Sequence, residues 1–191
     1  MLDMSAIFAE FPVLPTERFI LRPFRESDAE SILAYMSNPA VTQYIPSPTM
    51  TTIEEAQERI EKNQRFFEEQ KAFIWGIATH DTDTIIGNVL LWNFRPEHFR
   101  AEIGYSLSAD YWRQGVATEV VTRMLDYAFN ETDLHSVDAN IDPRNEGSQR
   151  LLEKLGFVKE AHFIEDWFDA KTQTFTDTAI YSLLRRNWVG R

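Results

Sequence analysis

Ala101–Ala128 reads AEIGYSLSADYWRQGVATEVVTRMLDYA, and the change of rhythm inside it decides the fold. Up to Leu107 the side chains alternate as in a half-buried strand, with Ala101, Ile103, Tyr105 and Leu107 on one face and Glu102, Gly104 and Ser106 on the other. From Val116 the period changes: Val116, Val120, Val121, Met124, Leu125 and Ala128 recur at helical spacing. Arg113-Gln114-Gly115 joins the two. A strand that feeds a helix through such a loop leaves the first backbone N–H groups of the helix without acceptors, at the positive end of its dipole. That end suits an anion, and pyrophosphate fits it. Gly115 and the small Ala117 would let a phosphate approach the backbone, Thr118 adds a hydroxyl, and Arg113 adds charge. An ordinary helix start preceded by glycine would read the same way.

The second informative stretch is Asn140–Phe157, NIDPRNEGSQRLLEKLGF. Asn145 is a good N-cap and Glu146 favours the first turn. Leu151, Leu152 and Leu155 form the inward side, and Gly156 stops the helix. Arg144, Arg150, Lys154 and Lys159 make the stretch locally basic, either as a solvated face or as a second wall for a phosphate-bearing ligand.

The rest of the chain surrounds these two helices with strands. Arg18–Phe24 reads as a strand closed by Pro23. Asp28 is placed to cap a helix over Ala29–Ser37, and Thr51 or Thr52 with Glu54 or Glu55 forms a capping box for a helix to about Gln70. Strands are expected at Ala72–Thr79, Ile85–Asn93, Arg100–Leu107, Ser136–Ile141, Phe157–Trp167 and Phe175–Leu184. Antiparallel hairpins followed by two β-α-β steps predict an α+β (mixed α/β) fold in a single domain over residues 1–191. The central sheet is mostly antiparallel and twisted, with about seven strands and about four flanking helices.

Composition narrows the function. The chain has 191 residues, with 19 Lys and Arg against 30 Asp and Glu, a net charge of −11. That balance disfavours direct nucleic-acid binding, which needs many cations on phosphates, and an anionic membrane surface; it suits a cationic partner. Cysteine is absent, so there is no disulfide, no thiol nucleophile and no Cys-based metal site. The four histidines are scattered without metal-ligand spacing, and no metal is expected. Met1–Glu10 lacks a basic start, and no apolar run approaches the ~18 residues of a membrane span, so the expected location is the cytoplasm. The seven glycines form neither a dinucleotide fingerprint nor a P-loop, and there is no G-x-S-x-G elbow.

Taken together, AEIGYSLSADYWRQGVATEV and NIDPRNEGSQRLLEKLGF resemble the two cofactor motifs of the GNAT N-acetyltransferases. The opening TERFILRPFRESDAESILAYMSNP is similar to the branch that contains the bacterial ribosomal-protein-alanine N-acetyltransferases. The resemblance implies a GNAT-like fold with acetyl-CoA as donor, bound where the fourth and fifth strands part. By position, the Leu107 backbone would pair with the pantetheine arm. The amides of Gln114, Gly115, Val116, Ala117 and Thr118 would hold the pyrophosphate, and Asn145 would contact the pantetheine or acetyl end. The family often places a base where Glu102 stands. Its usual leaving-group tyrosine, four residues before Gly156-Phe157, is replaced by Leu152, so Ser148 is the candidate for the thiolate contact, with Tyr105 and Tyr111 as packing residues. The branch favours a (ribosomal) protein α-amino group as acceptor. Small cationic amines (a polyamine or an aminoglycoside), a non-catalytic acyl-CoA-binding module and a homodimer are also compatible with it.

Overall fold

A computed structural model describes residues 1–190. One eight-stranded sheet crosses it in the order β1-β2-β3-β4-β5-β6-β8-β7. Its strands are β1 (Leu14–Pro15), β2 (Phe19–Arg22), β3 (Ala72–Thr79), β4 (Ile85–Arg95), β5 (Arg100–Leu107), β6 (Ser136–Ile141), β7 (Val158–Asp169) and β8 (Thr174–Leu184). Every neighbouring pair is antiparallel except β5 with β6. The helices are α1 (Met4–Ile7), α2 (Ala29–Met36), α3 (Pro39–Thr42), α4 (Ile53–Glu68), α5 (Val116–Asn130) and α6 (Glu146–Lys154).

The strand beyond the seven expected is β1, two residues long. The two helices beyond the expected four, α1 and α3, have four residues each. None of the three is long enough to show a period in sequence.

The sheet buries a different core on each face. On one side α5 and α6 press Val120, Val121, Met124, Leu125, Leu152 and Leu155 against Trp75, Val89, Ile103 and Val137. On the other, α2 and α4 bring Ile32, Met36, Ala56 and Ile60 to Ile74, Ala78 and Ile85. The alternation read along β5 is kept: Ala101 and Ile103 join the α5 core.

The capping box of α4 belongs to Thr52 and Glu55. Thr52 Oγ1 accepts the Glu55 N–H at 3.3 Å, and the Glu55 carboxylate accepts the N–H groups of Thr52 (3.2 Å) and Thr51 (2.6 Å). Those bonds hold the Glu55 carboxyl below the usual carboxylate range. Thr52→Ala is expected to lower stability by about 1 kcal/mol, read as a fall in the urea midpoint with an unchanged m value.

Asp28 acts otherwise than expected. It precedes α2 but makes no side-chain cap to it. Its buried carboxylate instead takes both terminal nitrogens of buried Arg22, at 2.8 and 2.9 Å, and the Arg25 N–H at 2.7 Å. A forked guanidinium partner outcompetes the helix amide, and the pair ties β2 to the start of α2.

Candidate active site

The parallel ladder between β5 and β6 has only three rungs: Arg100 with Ser136, Ala101 with Val137, and Glu102 with Asp138. Beyond Glu102 the strands part, while β5 stays paired to β4 through Leu107. The edge of β5 that faces β6 is therefore without a strand partner from Ile103 onward. A cleft opens between the two strands, with α5 following β5 and α6 meeting β5 across the gap through Ser148 and Tyr105.

On the α5 side Arg113–Thr118 form the loop and helix start that the sequence reads as a candidate anion site. Gly115 stands at the N-cap with φ +78° and offers no side-chain cap. The amides of Val116, Ala117 and Thr118 begin the helix, where no intrahelical acceptor exists. The left-handed backbone explains the glycine: a Cβ there would carry strain. Arg113 and Gln114 are exposed in the same loop, Arg113 also at positive φ. Two further cations flank it. Arg18 donates to the Gln114 carbonyl at 3.2 Å and pairs with Glu119 at 2.7 Å, and Lys154 Nζ lies 3.5 Å from Thr118 Oγ1. Arg18 is a site neighbour that sequence spacing gave no sign of.

Leu107 closes the open edge of β5, and its carbonyl already accepts the Trp112 indole N–H at 2.8 Å. Asn145 caps α6 by accepting the Ser148 N–H at 3.0 Å. Ser148 itself is buried, and its Oγ lies 2.6 Å from Tyr105 Oη. Tyr105 is thus more than packing. It carries a hydroxyl from β5 across the cleft to α6, and burial pushes its pKa up to about 12, so the phenol keeps its proton at any ordinary pH.

Glu102 lies on the opposite face of β5, 5% exposed. Asn93 Nδ2 donates to its Oε2 at 3.0 Å. Burial raises its pKa above the usual carboxylate value and nearby Asp138 adds to the rise, while the Asn93 bond, Arg95 and Asn140 oppose it. Trp92, half-exposed, is its register partner on β4.

The register of β6, β8 and β7 puts Phe163 and Trp167, both about half exposed, on this same face. At the hairpin tip Lys171 Nζ donates to the carbonyls of Thr42 (2.7 Å) and Ile45 (2.8 Å), so β7–β8 is fastened to the segment after α3. Glu102 and these aromatic side chains thus share one face of the sheet. Glu165, Asp166 and Asp169 sit on the exposed hairpin. No group of three His, Asp or Glu among the described residues is placed to hold a metal ion. No helix among them is long and apolar enough to cross a membrane.

Comparison with known proteins gives a consistent picture. The family model for the acetyltransferase (GNAT) domain matches residues 18–158. An uncharacterized N-acetyltransferase, YoaA, of Bacillus subtilis (strain 168) is 37% identical over 175 residues, covering 92% of this chain and 98% of that one. The ribosomal protein uS5 alanine N-acetyltransferase of Escherichia coli (strain K12) is 27% identical over 157 residues, 78% of this chain and 79% of its own. Among solved structures, a GNAT-family acetyltransferase from Bacillus anthracis superposes with a TM-score of 0.81 at 26% identity, covering 92% of this chain and 99% of that one.

Proposed function

Because the chain belongs to the GNAT acetyltransferase family, we propose that it moves the acetyl group of acetyl-CoA directly to the α-amino group of a protein N-terminus, most plainly one on a basic ribosomal protein. One observation carries the reading: the β5–β6 ladder ends at Glu102, opening a cleft between a helix N-terminus and a buried carboxylate. The residues present suit the donor. The amides from Gln114 to Thr118, with Arg113 beside them, take the pyrophosphate, the Leu107 backbone takes the pantetheine arm, and Asn145 stands at its far end.

The chemistry follows from the two sides of β5. Glu102, directly or through one water, takes a proton from the acceptor ammonium. The freed amine attacks the thioester carbonyl, the C–N bond forms and the C–S bond breaks. The electron pair leaves on sulfur, where Ser148, bonded to Tyr105, donates to it, and the surplus proton on the newly bonded nitrogen passes to water or to the departing sulfur, leaving the amide and free CoA. No covalent enzyme intermediate is involved, and the absence of cysteine excludes a Cys acyl-enzyme.

The α-amino preference rests on proton matching. A carboxyl raised above its normal range comes closer to an α-amine (~7.7–8.0) than to a lysine-type amine (~10.4). The net charge of −11 attracts a basic acceptor. The protein acts as one domain, in the cytoplasm where its acceptor is made.

Thiol release from acetyl-CoA tests this over Ala- and Ser-starting basic peptides, polyamines and aminoglycosides. The peptides are expected to give the highest kcat/KM. Preference for a polyamine or aminoglycoside would transfer the function to small amines. Acetyl-CoA binding with no turnover on any acceptor would make the chain an acyl-CoA-binding module.

A further inference from the structure

A second buried carboxylate stands beside Glu102. Asp138 is the register partner of Glu102 on β6, so the two side chains stand side by side on one face, 3% and 5% exposed. Their partners differ sharply. Asp138 Oδ1 forms an ion pair with Arg95 and a second with Arg100 Nη2 at 3.5 Å. Glu102 has the neutral Asn93 amide at 3.0 Å, with Asn140 also close enough to act on it. The remaining strands complete the surroundings: Arg100 Nη2 reaches Ser182 Oγ on β8 at 3.4 Å, and Ser182 donates to Glu160 Oε2 on β7 at 2.8 Å. The Nε atoms of Arg95 and Arg100 are buried and have no acceptor, so Asp138 is the carboxylate that both guanidiniums engage.

With two cations on Asp138 and a neutral amide on Glu102, Asp138 presents its charge to Glu102 from the adjacent strand. We propose that Asp138, fixed by Arg95 and Arg100, is a positioning residue for acetyl transfer: the charge against which Glu102 binds and releases its proton. The proposal rests on the reading of Glu102 as base. Arg95 reaches Asp138 across the irregular pairing that follows Trp92 in β4, which gives that departure from a regular strand a use. Asp138 does not touch the acceptor; it acts through Glu102.

A purely structural Asp138 would neutralise the two arginines and leave the titration of Glu102 alone, and this separates the two roles. The Glu102 midpoint is read by carbon-13 NMR of side-chain carboxyls, assigned with E102Q, alongside the pH profile of kcat/KM in the full chain. Asp138→Asn is expected to lower the midpoint, weakening proton affinity about tenfold for a shift of one pH unit. Arg95→Gln, which keeps both carboxylates, is expected to raise it. The acid limb of kcat/KM should move in the same direction as the midpoint in each variant. A midpoint that stays put in either folded variant, or moves the same way in both, overturns the proposal. If Asp138→Asn does not fold, Arg95→Gln decides alone. Because the NMR midpoint is independent of turnover, an acid limb retained in E102Q at the wild-type Glu102 midpoint would sink the base assignment, whereas an unmoved midpoint sinks only the role of Asp138.

Discussion

Glu102→Gln is expected to lower kcat by roughly 10²- to 10⁴-fold at neutral pH, the usual weight of a positioned proton acceptor, with acetyl-CoA affinity unchanged. The amide has the shape of the carboxyl and can still offer an oxygen to Asn93 Nδ2, so the local packing is kept. The pH dependence carries the sign. Glu102 acts in its ionised form, and burial has raised its pKa. Wild-type activity therefore climbs as pH rises through a range above that of an ordinary glutamate. In the variant that limb disappears, and the remaining rate follows the free-amine fraction of the acceptor, narrowing the gap in alkali. Stability runs the other way. A carboxyl with a raised folded-state pKa contributes stability below its unfolded pKa and loses it as pH rises through the folded one. The variant is then at least as stable as wild type at neutral pH, and a thermal melt beside the kinetics separates lost chemistry from lost fold. An unaltered kcat, or a limb that persists at the Glu102 midpoint and not at that of the acceptor amine, would remove the base assignment.

Local periodicity made much of this molecule legible. The switch from alternation to helical spacing across Arg113–Gly115 located the loop and helix start proposed to take the pyrophosphate, because strand period, loop and helix start are written in adjacent residues. What escaped were partners set by topology. Tyr105 and Ser148 are 43 residues apart and meet only because β5 and β6 part and α6 returns over the gap. Arg18 reaches Gln114 across 96 residues because the turn between β1 and β2 lies against the start of α5. Alternation put Glu102 on the face away from the α5 core, but not whether water or protein covers that face. The answer depends on neighbours from β4 and β6. Asp28 misled for a related reason: the sequence shows a good cap, and not the buried guanidinium that claims it.

Tyr105→Phe and Ser148→Ala are each expected to lower kcat by about 10- to 100-fold, the worth of a hydrogen bond to a charged group. The effect is smaller than at Glu102 because the leaving group is a thiol, with a pKa near 8.5 in its cysteine analogue. It departs as an anion at neutral pH and needs a donor more than a full proton. Ser148 Oγ and Tyr105 Oη lie 2.6 Å apart, so one can donate to the other and the other to sulfur. In such a series the two hydroxyls act as a unit. The double variant should be about as slow as the slower single one, giving a coupling energy comparable to either loss. A phenol pushed up to about 12 stays protonated throughout the assay range, so Tyr105 adds no alkaline limb, and the wild-type and Tyr105→Phe profiles should be parallel in shape. Phe keeps the ring that packs between β5 and α6, so a fall in kcat without a fall in melting temperature belongs to the hydroxyl. Ser148→Thr, which retains a hydroxyl, should recover part of the rate lost in Ser148→Ala. Strictly additive losses, or a Tyr105→Phe enzyme with wild-type kcat, would detach Tyr105 from the leaving group and leave Ser148 to act alone.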